Sequence, residues 1–276
     1  MPATDAPLPI SVALIARNEA HNLPRCLGSV QGWVAEMIVV VNDCTDATVE
    51  VARSFGASVV ENPWTGFGNQ KRRSVELARE PWILAIDADE EVSPQLKTAI
   101  FEFFRHHSAL YEVVAFRRRV WFLGRWITHG DWYPDWSPRL FRKESANWSQ
   151  DIVHERLLFS ASVLKLKADL LHYSNPTIAS HVGKINFFSD LFLVQQLGRN
   201  AKWSPVNILF RAVWRFVRAY VFRLGFMDGF PGLFIAVSTA YATFVRYSRL
   251  YEHLYNTPPP VQAAHADSGG EHVQRP

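Results

Sequence analysis

Cysteine is scarce: the 276 residues hold two, Cys26 and Cys44. They form neither a disulfide framework nor a metal-ligand pattern. The start also lacks a charged segment leading into an apolar core and a cleavage site, and the two absences together predict a reducing, cytoplasmic setting. No Gly-x-Gly-x-x-Gly follows the first apolar run and no Gly-Lys-Ser/Thr occurs anywhere, which argues against a dinucleotide or P-loop site. The formal net charge is only +3, too small an excess to argue for nucleic acid, although the basic residues crowd the second half. An apolar stretch at 230–245 is shorter than the ~18–20 residues of a membrane span and contains Pro231 and Gly232. From residue 257 onward large apolar residues all but vanish, so 257–276 is expected to be a disordered tail and 1–8 a flexible start. The length fits one large domain or one domain plus an appendage.

What the chain has instead is alternation. Apolar runs at 10–16, 37–41, 58–61 and 82–86 read as strands. Between them, 23–30 with Pro24 early and Gly32 as a stop, 45–55 stopped by Gly56, and 69–79 read as helices. Such alternation implies right-handed βαβ crossovers and a parallel sheet. The carboxyl edge of that sheet carries Arg17-Asn18-Glu19, Asn42-Asp43 and Asp87-Ala88-Asp89-Glu90, and open α/β sheets bind their ligands at that edge. An isolated Asp-x-Asp is common in solvated turns, and Asp43 also suits a cap for the helix from Thr45. Carboxylates gathered at three strand exits, however, repel one another unless a cation lies among them. Oxygen ligands select Mg²⁺ or Mn²⁺, and Mg²⁺ is held by one or two carboxylates plus substrate phosphates, so the motif points to a metal-bridged diphosphate. Glu19 and Asp43 suit accepting hydrogen bonds from ribose hydroxyls and a base N–H, the pattern of a nucleoside site.

After residue 93 the regularity falls away. Residues 113–122 read as a strand carrying Arg117-Arg118-Arg119, and 121–148 is dense in Trp around Gly130-Asp131-Trp132-Tyr133-Pro134-Asp135. Trp faces offer apolar contact to sugar rings while acids and Arg bind hydroxyls, which makes Trp132, Asp135 and Arg139 candidates for acceptor binding; ordinary core packing accounts for a Trp equally well. Residues 205–224 read as an amphipathic helix with Arg211, Arg215 and Arg218 at i, i+4 and i+7 and Leu209, Val213, Phe216, Val217 and Tyr220 on a broad apolar arc. That composition suits a helix lying on a membrane, its Arg stripe, with Arg246 and Arg249, meeting anionic headgroups. The alternative is a globular helical subdomain whose Arg row is solvated.

The order of these motifs resembles the family-two glycosyltransferases of the GT-A fold, and more narrowly the bacterial lipopolysaccharide core glycosyltransferases of the β-1,4-glucosyltransferase type. The carrying residues are Ala16-Arg17-Asn18-Glu19, Val41-Asn42-Asp43-Cys44-Thr45-Asp46, Gly66-Phe67-Gly68-Asn69-Gln70-Lys71 and Asp87-Ala88-Asp89-Glu90. Further on come the Gly130–Asp135 segment, Arg139-Leu140-Phe141-Arg142, Val153-His154-Glu155 and His172-Tyr173-Ser174, so the likeness spans nearly all of 9–250. It implies an α/β, GT-A-like, Rossmann-type and mostly parallel sheet flanked by helices. The catalytic domain would be 9–175, divided into a nucleotide-sugar half (9–90) and an acceptor half (91–175), followed by a helical membrane-surface region at 176–256.

The resemblance also implies roles. Glu19 and Asp43 hold the nucleoside, Lys71 the diphosphate side, Asp87 the ribose or the metal, and Asp89 the metal, a divalent Mg²⁺ or Mn²⁺. Cys44 stands where many relatives have Ser or Gly, and Lys71 where Arg is frequent, which turns a two-pronged contact into a point charge. The usual Glu-Asp catalytic pair is replaced by His154-Glu155, so Glu155 is the first candidate for general base and Asp131 the second. His154 suits either acceptor binding or a structural hydrogen bond, as do His172 and Lys184. The expected activity is metal-dependent, inverting transfer of a hexose, glucose foremost, from a UDP-sugar to a lipopolysaccharide core or other lipid-linked saccharide. The expected location is the cytoplasmic face of a bacterial inner membrane, held peripherally, with no nucleic acid involved. A sugar nucleotidyltransferase is the alternative enzyme, although that class opens with a Gly-rich loop where this chain has Arg17-Asn18-Glu19. A non-enzymatic membrane-surface module is the third reading, and it leaves the carboxylates at three strand exits unexplained.

Overall fold

The first strand, β1 (Leu8–Ala16), is buried without interruption from residue 10 to 14, because apolar layers cover both of its faces. Ile10, Val12 and Leu14 enter one cluster and Ala13 the opposite one, the two-residue alternation of a strand. The computed structural model describes residues 6–150, 155–174, 177–197 and 204–256. His154 and the expected tail therefore lie outside the described residues.

Chain order continues with α1 (Leu23–Val30), β2 (Val34–Val41), α2 (Thr48–Ser54), β3 (Ser58–Glu61), α3 (Phe67–Leu77), β4 (Trp82–Ala85), β5 (Glu90–Val92), α4 (Pro94–His106) and β6 (Val113–Phe122). Then follow β7 (Arg125–Trp126), β8 (Asp135–Arg142), β9 (Ala146–Trp148), β10 (Leu157–Phe159), β11 (Val163–His172), α5 (Ile178–Leu197), α6 (Pro205–Val217) and α7 (Gly229–Tyr255). The main sheet runs β3-β2-β1-β4-β8-β6-β11-β5, with β7 paired to β6. The α1 and β6 bounds coincide with the sequence expectation. Helix α2 begins later than expected because Asn18 Oδ1 draws the Thr45 amide to 2.8 Å and Asp46 accepts the Thr48 amide at 3.0 Å. Asp43 and Thr45 thus stay in a loop at the sheet edge.

The expectation of a mostly parallel sheet needs correction. Strands β3, β2, β1 and β4 are parallel, as are β6 and β11, but β4–β8, β6–β8, β5–β11 and β6–β7 are antiparallel. Between β6 and β8 lie only β7 and a 3₁₀ turn at Gly130–Trp132, and without a crossover helix the returning strand pairs antiparallel. In the parallel half the chain winds outward from β1 to β3 and then returns to β4 on the other side of β1. The β1/β4 boundary is therefore the point where strand order reverses, and Asp87 to Glu90 follow directly from it. The core there is closely filled: Ile83, Leu84, Phe103 and Phe116 are fully buried or nearly so, each such side chain contributing ~1.5–3 kcal/mol.

The C-terminal helices dock on the β6–β8 side. Asp228, fully buried, accepts the amides of Thr128 and His129 at 3.0 and 2.8 Å and the Thr128 hydroxyl at 2.9 Å. Gly232 packs so closely on the preceding turn that a Cβ would collide with the Gly225 carbonyl. Pro231 occupies the first turn of α7, where its missing N–H costs nothing, so the stretch expected at 230–245 runs on to Tyr255. Among the described residues no single helix is long and apolar enough to cross a membrane; Pro205–Phe222 and Gly225–Tyr255, bent by 70°, meet that test only as a pair.

The expected Arg stripe exists, and its side chains also contact the rest of the protein. Beyond α6 the helix widens into a π turn at Arg218–Phe222. Arg218 reaches Asp131 at 2.6 Å, with Arg215 and Arg223 each at 3.4 Å. Arg211 lies over the Tyr247 ring at 5.6 Å, and Arg249 pairs with Asp190. Asp131 supplies the countercharge that draws the polar side of α6 to the catalytic half. The apolar side, including Val206, Leu209, Phe210 and Val213, is left exposed.

Candidate active site

Two strand exits carry residues in the left-handed region, Asn18 (φ 56°) and Asp43 (φ 42°), a conformation that Asn and Asp tolerate better than other side chains and that gathers at functional sites. The turn after β1 is fastened to the loop after β2: Glu19 N donates to Thr48 Oγ1 at 2.8 Å, and Ala20 N to Asp46 Oδ2 at 3.1 Å. Glu19 is thereby set beside the acidic strand exits. Burial pushes its carboxyl up against the lowering hydrogen bond from Asn22, and Asp89, Asp46 and Asp87 push it the same way. Asp43 is exposed on the rim of the same edge.

Behind the β4 exit runs a chain of ion pairs. Lys71, buried on α3, holds Asp87 Oδ1 at 2.8 Å and Glu155 Oε1 at 3.0 Å, with its ammonium 4.7 Å from the Trp148 ring. Arg139 on β8 takes Asp87 Oδ2 and Glu90 Oε1, both at 2.7 Å. Glu90 in turn accepts the Asp87 amide at 2.9 Å. Burial alone would raise the Asp87 carboxyl, but Arg139 and Lys71 hold it well below the usual carboxylate range. It stays an anion.

The structure places several of the residues expected from the sequence in ion pairs. Arg139, expected to touch acceptor, is buried and positions Asp87. Asp87, expected to meet the ribose or the metal, has both oxygens held by cations. Asp131, the second candidate base, has its oxygens occupied by arginines of the C-terminal region. Asp135 is held by Arg118 at 2.8 Å. Glu155, in contrast, sits one lysine away from Asp87. Trp132 packs on Phe122 and His181 with ring centroids 5.2 and 5.1 Å apart and lines a cavity together with Asp135 and His172.

Asp89 is the open carboxylate. Its partner is His172 at the end of β11, with Nε2 3.4 Å from Asp89 Oδ2, while the Tyr173 amide donates to the Asp89 carbonyl at 3.0 Å. Burial would raise Asp89, yet the His172 contact outweighs it and holds the carboxyl below its ordinary value. No cluster of three or more His, Cys, Asp or Glu ligands occurs among the described residues. One carboxylate, with the remaining positions left to phosphate oxygens and water, is nevertheless the oxygen donor set that Mg²⁺ or Mn²⁺ takes beside a diphosphate, and His172 lies next to it as a nitrogen donor. The buried His172 Nδ1 has no hydrogen-bond partner among the described residues, and Nε2 is the ring nitrogen that faces Asp89. Sequence reasoning left His172 ambiguous and passed over Trp148; the His172-Tyr173-Ser174 motif was the available signal.

A parallel half-sheet whose exits carry Glu19, Asp43, Asp87 and Asp89, continued by an antiparallel half that bears Arg139 and His172, is a GT-A-like arrangement. Residues 11–166 match the family described as Glycosyl transferase family 2, and the chain belongs to that family. It is a glycosyltransferase. It is similar to an uncharacterized glycosyltransferase of Rickettsia bellii, at 31% identity over 254 residues covering 88% of this chain and 86% of the relative. It is also similar to the lipopolysaccharide core biosynthesis glycosyltransferase LpsC of Rhizobium meliloti, at 27% identity over 268 residues, or 93% and 97% of the two chains. A solved structure of glucosyl-3-phosphoglycerate synthase from Mycobacterium tuberculosis, with Mn²⁺, UDP and glucosyl-3-phosphoglycerate, aligns over 40% of this chain and 44% of the other, at 27% identity and a TM-score of 0.35. Family membership removes the nucleotidyltransferase and non-enzymatic alternatives.

Proposed function

We propose that the enzyme transfers a hexose, glucose foremost, from a UDP-sugar to a lipopolysaccharide core or other lipid-linked glycan by a single inverting displacement that depends on a divalent cation. The observation that carries this reading is the Glu155–Lys71–Asp87 ion-pair chain beside the open carboxylate of Asp89. The likeness to LpsC over nearly the whole chain supports the acceptor class.

In this reading Glu19 and Asp43 accept hydrogen bonds from the nucleoside. Lys71, a point charge on a flexible stem, exchanges a carboxylate for a diphosphate oxygen when the donor arrives. Asp89 and His172 would hold Mg²⁺ or Mn²⁺, which when bound offsets the negative charge developing on the departing nucleoside diphosphate. Glu155 takes the proton of the acceptor hydroxyl as that oxygen attacks the anomeric carbon from the opposite face. Thermal stabilisation by a panel of nucleotide sugars and nucleoside triphosphates with Mn²⁺ tests the donor assignment. UDP-hexoses should stabilise most, and a preference for nucleoside triphosphates would overturn it.

The reading also has the enzyme attached peripherally to the cytoplasmic face of a bacterial inner membrane, where encounter with a lipid-linked acceptor is confined to two dimensions. The support is the uncovered apolar surface of α6 and α7: Leu209, Phe210 and Phe230 are exposed, and Val213 and Phe216 of α6 meet Val237, Tyr241 and Phe244 of α7 in one apolar patch, of a kind that soluble surfaces rarely carry. Attachment is therefore apolar. Leu209→Glu with Phe210→Glu should weaken co-sedimentation with phosphatidylglycerol–phosphatidylcholine vesicles at least tenfold, since each lost side chain is worth ~1.5–3 kcal/mol and ~1.4 kcal/mol is a factor of ten. Raised salt should release little of the wild type. Unchanged sedimentation of the double variant, or release of the wild type by salt alone, would discard the apolar surface as the point of attachment.

A further inference from the structure

Between the β6–β11 edge and the C-terminal helices lies a cavity of about 480 Å³. It reaches from Asp135 and His172 at the active-site edge to Thr243 and Arg246 on α7, and none of Glu19, Asp43, Lys71 or Asp87 lines it. It adjoins the donor pocket through His172 but is separate from it.

The charge inside is unbalanced. Four arginines, Arg118, Arg215, Arg218 and Arg246, line the cavity with two carboxylates, Asp131 and Asp135. Those carboxylates are already engaged, Asp135 by Arg118 at 2.8 Å and Asp131 by Arg218 at 2.6 Å. Arg215 reaches the other oxygen of Asp131 at 3.4 Å. Among the described residues Arg246 has no carboxylate partner, and its Nε is buried without a hydrogen-bond acceptor, as is that of Arg218. Burial and then the charge of Arg215 lower the proton affinity of Arg246 from its ordinary value. Arg246 is only partly buried, but a guanidinium N–H that is buried without an acceptor is costly, and an anion with several acceptor oxygens removes the cost.

We propose that this cavity binds a phosphate group carried by the acceptor saccharide, with Arg246 as its principal contact. The inference rests on the glycosyltransferase reading above and deepens it by naming the acceptor's chemistry. A phosphate monoester brings roughly −1.5 to −2 charges and three acceptor oxygens, closer to the cation excess than one carboxylate. Guanidinium forks match its geometry with paired hydrogen bonds. Trp132 and His181 line the same cavity and offer the sugar ring a flat apolar face, so the phosphate at Arg246 would orient the saccharide with its free hydroxyl toward the His172 end.

The same phosphate chemistry could arrive on a lipid headgroup, and the test separates the two sources. Full-length protein saturated with UDP and Mn²⁺, which fills the donor pocket, is titrated with glucose 6-phosphate and, separately, with glucose. The wild type should bind the phosphorylated sugar and not glucose, and Arg246→Gln should weaken that binding at least tenfold. Thr243→Glu, which sets a carboxylate one turn before Arg246, should abolish binding while raising Tm, an outcome that misfolding cannot mimic. Vesicles of phosphatidylglycerol and of phosphatidylcholine form the second arm, and Arg246→Gln should sediment with both as the wild type does. Failure of the wild type to bind glucose 6-phosphate, or equal binding by Arg246→Gln, overturns the proposal. So does selective loss of phosphatidylglycerol binding by that variant, which would assign the cavity to headgroups. If UDP itself fails to bind the wild type, the donor reading falls first, and that result is seen before any phosphate is added.

Discussion

Asp89→Ala is expected to abolish transfer, with kcat/KM falling by about 10³-fold or more, while the protein stays folded. Charge neutralisation at a leaving diphosphate is worth several kcal/mol, and ~1.4 kcal/mol is a factor of ten in rate. Asp89 is the carboxylate at the β4 exit that no lysine or arginine has claimed; its side chain is 25% exposed, and its ion-pair partner is His172. Removing it leaves no buried charge stranded and relieves repulsion on Asp87 and Glu19, so Tm should change by no more than a few degrees. Asp87→Ala differs, because it strands Lys71 and Arg139, and loss of activity there would not separate chemistry from stability. The measurement for Asp89→Ala is transfer with Mg²⁺ and with Mn²⁺, together with thermal stabilisation by UDP with and without metal. The metal-dependent part of the stabilisation should vanish and the metal-independent part remain. Near-normal turnover with either ion would overturn the role of Asp89.

The first half of the chain was legible because its signals are local. Apolar runs covered on both faces mark β1, β2 and β4, and the helix stops at Gly32 and Gly56 are single-residue features. Placing Glu19, Asp43 and Asp87 on one edge needed only the rule that parallel strands share an exit side. The second half was less legible because its site is made by pairings distant in sequence. Arg139 reads as a sugar-binding arginine until β8 is known to run antiparallel beside β4, which turns its guanidinium onto Asp87 and Glu90. His172 gains meaning only when β11 pairs with β5 and brings it to Glu90, within reach of Asp89. The Arg stripe of α6 was found correctly as a stripe. Periodicity fixes which residues share a face but says nothing of the Asp131 that Arg215 and Arg218 reach across the fold. An amphipathic helix can offer either side to its own protein, and here the charged side found the partner.

Glu155→Gln should keep UDP-sugar binding and lose transfer, with kcat down about 10²-fold or more, the usual contribution of a positioned general base. The substitution preserves shape and one carbonyl oxygen toward Lys71 but removes the lone-pair basicity that can take a proton. Lys71 remains neutralised by Asp87 at 2.8 Å, so the pocket should hold its form and the donor KM should move little. Asp131→Asn is the informative contrast. Asp131 takes Arg218 at 2.6 Å and Arg215 and Arg223 at 3.4 Å, and replacing its charge leaves three guanidiniums without their shared anion. That variant should lower Tm and loosen the C-terminal helices, and any loss of transfer should follow the loss of stability. The two roles are separated by measuring kcat, donor KM and Tm on both variants. Full activity in Glu155→Gln, alongside an Asp131→Asn protein that keeps its Tm and loses transfer, would exchange the assignments. The outcome expected from the ion pairs is the reverse: Glu155 next to the donor carboxylates does the proton chemistry, and Asp131 holds the acceptor side of the molecule in place.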